Sequence, residues 1–282
     1  VLDETCQVIA NGYVGGILGM TSPWQGAVEV SNCVVRCEVN ATAAANAGGI
    51  HGCCMGSTCR IIVDNCGVTS TITGPKENGV ISGWMGSYGK LTNCWAISEV
   101  YENGNLVSNF VRATPTSSNN WWIKSQDGIV TNVFNPDIVP TGELAWRLNN
   151  SQFKTPVWYQ RVGEDLIPYL DPERGVVAYL AEQYFSIYDE SSLAEAIVAV
   201  QEHYQALADT AVANATLRDD LSSQLGLLEG CATIEELADA MDNLKEYIDA
   251  VKASEKAYKA YIDKCEEIKA YLDTDDSFEG EL

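Results

Sequence analysis

The chain has 282 residues, 46% hydrophobic and 20% charged, a balance that favours a folded protein of two domains over a disordered one. Its formal charge is −22, and residues 180–282 hold 24 Asp+Glu against seven Lys+Arg. A surface this acidic repels phosphate backbones and anionic lipid, and no apolar run is long enough to cross a membrane, so neither nucleic acid nor a membrane span is expected.

The chain opens at Val1 in mid-pattern, which reads as a piece of a longer, processed precursor. The first element in chain order is a repeat. Ser31-Asn32-Cys33, Asp64-Asn65-Cys66 and Thr92-Asn93-Cys94 share one pattern, and Thr131-Asn132-Val133 keeps it with Val for Cys. An aliphatic residue precedes each copy, and the Asn-to-Asn spacings are 33, 28 and 39 residues. Upstream lies a second shared element, Gly15-Gly16-Ile17-Leu18-Gly19, Gly48-Gly49-Ile50-His51-Gly52 and Gly79-Val80-Ile81-Ser82-Gly83. A decayed copy, Asn105-Leu106-Val107-Ser108, follows. The β-branched residues suit a pleated, half-buried surface, and Gly permits sharp corners. One such unit cannot bury its apolar face alone, so successive units are expected to stack and share a core. Aligned Asn32, Asn65 and Asn93 would form an amide ladder, with Cys33, Cys66 and Cys94 as small buried hydrophobes beside it.

These paired elements resemble the GLUG-type repeat of bacterial surface adhesins and secreted peptidase-associated regions, over about residues 12–135. The resemblance implies a β-solenoid in an exported protein, serving as a scaffold or adhesive module. The segment Thr141-Gly142-Glu143-Leu144-Ala145-Trp146-Arg147-Leu148-Asn149, with Val157-Trp158-Tyr159-Gln160, Gly163-Glu164-Asp165 and Pro168, resembles one that closes such repeats in cell-surface proteins of gut Bacteroidales. It is read as a closing β segment over 136–178, ending in Gly175-Val176-Val177.

From about residue 190 the period becomes helical. Leu193, Ile197, Val200, Tyr204, Leu207 and Ala211 recur at spacings of four and three. After a turn near Gly226–Gly230, a second stripe runs Leu237, Met241, Leu244, Ile248 and Val251, and resumes at Tyr258, Cys265, Ile268 and Leu272. Ser192-x-x-Glu195 and Thr233-x-x-Glu236 fit capping boxes at the two starts. The expected fold is therefore a β-solenoid, an all-β repeat over 1–135 with its closing segment, followed by an acidic antiparallel helical hairpin or bundle over 179–282.

Chemical motifs are sparse. His51 falls at the site of Leu18 and Ser82 and reads as a repeat position; His203 lies on an acidic helix. Cys53-Cys54 and Cys59 lack the paired spacing of a zinc site, so no metal or cofactor is expected; free core thiols are favoured, with disulfides Cys33–Cys37 or Cys54–Cys59 as the alternative. Asp64 stands alone at its repeat position, and Glu38 and Glu99 give at most one non-adjacent pair, a poor basis for a glycosidase. Asp273-x-Asp275-Asp276-x-x-Glu279 lacks the Gly and spacing of a calcium loop. The binding signal is aromatic: Trp24, Trp84, Tyr88 and Trp95 at turns or strand edges, and Trp121-Trp122 in a Ser/Asn-rich insertion. Of these, Trp121, Trp122, Trp24 and Tyr88 are the candidate binding residues. The expected function is an extracellular, non-catalytic interaction, adhesion or spacer module of a bacterial surface protein, with a protein or a glycan at the cell surface as partner. A glycan-binding module is the sharper alternative, and a β-solenoid polysaccharide-processing enzyme the third.

Overall fold

The computed structural model describes residues 5–22, 26–43, 46–56, 58–107, 109–113, 115–123, 133–134, 141–211 and 214–274. The chain divides into two compact units, residues 1–179 with 184–186, and residues 180–183 with 187–282.

The largest sheet of the first unit has seven strands. Val28–Val35 pairs in parallel with Ile61–Val68, which pairs in turn with Lys90–Thr92 and Trp95–Ala96. Those two short strands pair with Thr116–Ser118 and Trp121–Ile123, and the last of these with Val133–Phe134. The register sets Cys33 opposite Cys66, and sets Thr92 opposite Asp64 and Trp95 opposite Gly67, which brings Cys94 alongside Cys66. Asn32, Asn65 and Asn93 have φ of 54°, 50° and 52°, in the left-handed region where Asn is one of the few tolerated side chains. This kink inside the strand explains why the pattern demands Asn just before the thiol.

A five-stranded sheet runs Gln7–Ala10, Glu38–Ala41, Thr71–Gly74 and Glu99–Glu102 in parallel, then turns back in the antiparallel strand Asn105–Val107. A three-stranded sheet joins Leu18–Thr21, His51–Cys54 and Ser82–Trp84. Between the sheets Val35, Val39, Ile50, Ile61, Val63, Val68, Ile72 and Ile81 form one buried cluster with Cys66 and Cys94. Each fully buried Val or Ile stabilises by about 1.5–3 kcal/mol. The Gly-Gly pairs serve close approach: a Cβ on Gly16 would lie 2.6 Å from Val35 Cγ1, and one on Gly49 would lie 2.5 Å from Val68 Cγ1 and 2.6 Å from the carbonyl oxygen of Val80.

The segment after residue 140 supplies a second cluster. Helix α1, Glu143–Leu148, packs Leu144, Ala145 and Leu148 with Val34, Trp95, Trp158 and Val177. Trp95 and Trp158 meet edge to face, 5.8 Å between centroids. Buried Asn149 donates to the carbonyl of Trp158 at 2.8 Å and accepts from the amides of Val157 and Trp158, each at 3.0 Å. Val176–Leu180 and Gln183–Ile187 form a two-stranded sheet.

In the second unit, α2 is Glu190–Thr210, α3 Ala215–Leu227 and α4 Ile234–Thr274. The Asp189 side chain caps α2 by accepting from the Ser192 amide at 2.8 Å, while Ser192 Oγ accepts from the Asp189 amide at 3.0 Å. At Ala211 the backbone turns extended, with ψ of 124°, and the Asn214 side chain accepts from the Leu217 amide to start α3. Leu193, Ile197, Val200, Leu221, Leu225, Leu237, Leu244, Ile248 and Val251 are buried on the three helices.

This architecture corrects the expected all-β solenoid with a helical hairpin. The described strands fall into five small parallel and mixed sheets, no barrel or solenoid closes, and four helices occur across both units, a mixed α/β arrangement. Three physical causes account for the difference. Unequal repeat lengths break the ladders into short strands, the residues after 140 coil into α1, and the Asn214 cap starts a separate helix α3 between the end of the first stripe at Ala211 and the turn near Gly226–Gly230. Among the described residues the expected amide ladder reduces to one bond, Asn119 to Asn93, while Asn65 donates to Asp64, and the row of Asn continues elsewhere than expected. Ser118 pairs with Thr92 and Trp121 with Trp95, so Asn119, not Asn132, is the fourth Asn of the row, and its φ is 51°. Asn132 lies outside the described residues.

Gly49→Ala should lower stability by about 2–3 kcal/mol, because the added methyl meets a buried Val and a backbone carbonyl. Urea unfolding measures this; a loss of a few tenths of a kcal/mol would mean that the sheets separate more freely than described.

Candidate functional site

Of the repeated Asn-Cys positions, Cys66 and Cys94 are buried and Cys33 is half-buried, while the Asn side chains lie at or near the surface. Each thiol donates to the carbonyl two residues earlier: Cys33 to Ser31 at 3.2 Å, Cys66 to Asp64 at 3.3 Å and Cys94 to Thr92 at 3.1 Å. The thiol thus gives a side-chain donor to the carbonyl of the residue before the left-handed Asn. Burial pushes the Cys94 thiol far up, and raises that of Cys33. In the fourth copy Asn120 takes the thiol's place. It donates to the carbonyl of Leu91 at 2.9 Å and accepts from the Cys94 amide at 3.0 Å. Asn119 donates to Asn93 Oδ1 at 2.8 Å and to the carbonyl of Arg147 at 2.8 Å, which ties α1 to the row. Asp64 accepts from the Thr92 hydroxyl and, at 3.0 Å, from Asn65.

His51 is fully buried in the row Leu18, His51, Ser82. Its Nε2 lies 3.1 Å from Thr21 Oγ1 and its Nδ1 2.9 Å from Ser82 Oγ. Burial lowers its pKa to about 4, so the ring is neutral. A Ser–His contact is half of a nucleophile–base arrangement, yet here both residues are buried and Thr21 occupies the ring's far nitrogen. The same Thr21 hydroxyl lies 3.0 Å from Cys59 Sγ, and Cys59 is bonded to Cys54. Cys33 and Cys37 remain thiols. Among the described residues, no group of three or more His, Cys, Asp or Glu side chains is placed to hold a metal.

The aromatic candidates separate into two groups. Trp122 is 1% exposed, donates from Nε1 to the carbonyl of Ser98 at 3.1 Å and packs beside Phe110. Trp121 is half-buried, donates to Asn119 Oδ1 at 2.8 Å and lies 5.2 Å under the Arg147 guanidinium. Both are spent on packing, and the insertion that they were read from is a further in-register repeat. Trp24 lies outside the described residues. Tyr88 is 57% exposed with Arg60 set 6.0 Å from its ring centroid. Trp84 is 38% exposed under Arg112, 5.7 Å from the centroid, and Arg112 pairs with Glu77 at 3.5 Å. Met20 and Trp84 flank buried Cys53 in one row of the three-stranded sheet, and Met20 is 52% exposed.

That sheet therefore presents Met20 and Trp84, with Arg112 and Glu77 as polar neighbours, and Tyr88, four residues beyond Trp84, is exposed beside Arg60. The arginines and Met20 carry no signal in the sequence, since only strand pairing brings them to the aromatics. The second unit has a cavity of about 530 Å³ on α2, lined by Leu193, Ile197 and Val198 with Glu190, Glu229 and Cys231. Burial, then Glu236, raises the Cys231 pKa and keeps it a thiol. No helix among the described residues is long and apolar enough to cross a membrane. Comparison with protein-family models, curated proteins and solved structures finds no match.

His51 sets a pH dependence. Its pKa lies near 4 folded against 6.5 unfolded, so the unfolded chain binds more protons between these values. Stability from the neutral ring is complete above about pH 6.5 and is lost as pH falls toward 4, about 3 kcal/mol in all. Thermal melts of the parent chain should therefore drop more steeply over this window than those of His51→Gln. Parallel curves would mean that the folded ring is charged.

Proposed function

We propose that this chain is an extracellular, non-catalytic interaction module of a bacterial surface protein, in keeping with its resemblance to GLUG-type repeat proteins. The observation that carries the reading is the exposed pair Trp84 and Tyr88, each held beneath an arginine. Exposing large aromatic faces is unfavourable unless they meet a partner, and Trp and Tyr are enriched where protein surfaces bind. The repeat interior, by contrast, directs its Cys and His side chains to backbone carbonyls and neighbouring hydroxyls. The Cys54–Cys59 disulfide agrees with an oxidising, exported setting.

A glycan is the partner that this surface suits as the second reading. Flat aromatic faces stack on sugar rings, and Arg112 with Glu77 supplies a donor and an acceptor at the edge. The test is a glycan array and a panel of cell-surface proteins probed with the whole chain. Binding should fall at least about tenfold in Trp84→Ala or Tyr88→Ala, a hot-spot loss of ~1.4 kcal/mol or more, and persist in Trp121→Phe. Turnover of a polysaccharide would overturn the non-catalytic reading. Binding that ignores both aromatic substitutions would overturn the assignment of the surface.

A further inference from the structure

Helix α4 outruns its bundle. At 1.5 Å per residue its 41 residues span about 61 Å, against about 31 Å for the 21 residues of α2. Val251 is its last buried residue, yet the apolar stripe continues: Tyr258, Tyr261, Ile268 and Leu272 are exposed, as is Cys265. Their spacings alternate three and four, so Val251, Tyr258, Cys265 and Leu272 fall at one core position of a heptad and Tyr261 and Ile268 at the other. Charge changes at the same place. Residues 180–251 hold two Lys+Arg against 15 Asp+Glu, whereas residues 252–272 hold five lysines against four carboxylates. This overhang is the one stretch of the acidic half where another copy can approach without strong repulsion.

We infer that residues 252–272 of α4 pair with the same segment of a second copy as an antiparallel coiled coil. The flanking charges choose the orientation. In a parallel pair Lys264 of one helix meets Lys269 of the other, and two bundles that carry this excess of carboxylates lie side by side. In an antiparallel pair with Tyr261 facing the second copy's Cys265, Glu255 meets Lys269 twice. Lys264 lies at the two-fold axis, where Glu267, 2.6 Å from its Nζ, neutralises it. The bundles then sit beyond opposite ends of the seam, farther apart than the screening length of about 8 Å at physiological salt. The helix is already ordered by its bundle, so association requires little further folding.

Sedimentation equilibrium of the full chain tests this, from low micromolar to ~0.5 mM, the range of a weak specific pair. The mass should rise from 30.6 kDa toward twice that value. Tyr261→Glu with Ile268→Glu should hold the chain at monomer mass with an unchanged helical circular-dichroism spectrum, since both side chains are exposed. Lys269→Glu should weaken the dimer about tenfold, and adding Glu255→Lys should restore it, because two attractive pairs become repulsive and then attractive again. A chain that stays monomeric throughout, or a dimer indifferent to the paired glutamates, would overturn the proposal. So would a dimer that Lys269→Glu tightens, since that is the response of a parallel pair.

Discussion

The left-handed asparagine is the constraint on which the first unit rests. Asn32, Asn65, Asn93 and Asn119 all hold φ near 50°, the first two within a strand and the last two between a pair of short strands. Such a kink costs a non-glycine residue of order 1 kcal/mol. The following side chain donates to a backbone carbonyl: the thiol to that of the residue before the Asn in three copies, and the Asn120 amide to that of Leu91 on the neighbouring strand in the fourth. Because each kink must sit over the last, a register slip would expose carbonyls and turn every core side chain outward. Strand alignment, thiol burial and the fully buried Val and Ile cluster thus follow from one local conformation.

That economy leaves few polar groups for chemistry. His51 is neutral and enclosed between two hydroxyls, and Asn78, also buried, accepts from the Ala47 amide at 2.9 Å and donates to the carbonyl of Tyr101 at 2.9 Å. Among the side chains that face water are Trp84 of the three-stranded sheet, under Arg112, and Tyr88, beside Arg60. In the second unit carboxylates outnumber lysines up to Val251, and the apolar stripe of α4 is exposed beyond it, where lysines balance them.

The parts readable in the sequence were those that a single residue type enforces. Few side chains tolerate the left-handed region, so Asn recurs visibly, and Gly16 and Gly49 recur because a methyl has no room. Leu18, His51 and Ser82 aligned by pattern are paired in space. The fourth copy was obscured because Asn120 replaces the thiol and Trp121-Trp122 resembles an exposed insertion, whereas a neighbouring strand covers it. The all-β expectation failed at Glu143–Leu148, a helix held mainly by tertiary packing against Trp95 and Trp158. The break between α2 and α3 has no Gly or Pro to mark it, and the Asn214 cap is its one local signal. For the surface, Tyr88 was evident as a turn aromatic, but its arginine partner is distant in sequence.

Thiol labelling along a urea titration tests the central claim most directly. If the asparagine-thiol row forms one continuous core, Cys66 and Cys94, both fully buried, resist iodoacetamide in the native chain while exposed Cys6 and Cys265 react. Both buried thiols then become reactive together, at the urea concentration where the sheet unfolds. Rapid native labelling of Cys66 or Cys94, or two well-separated transitions for them, would contradict the account.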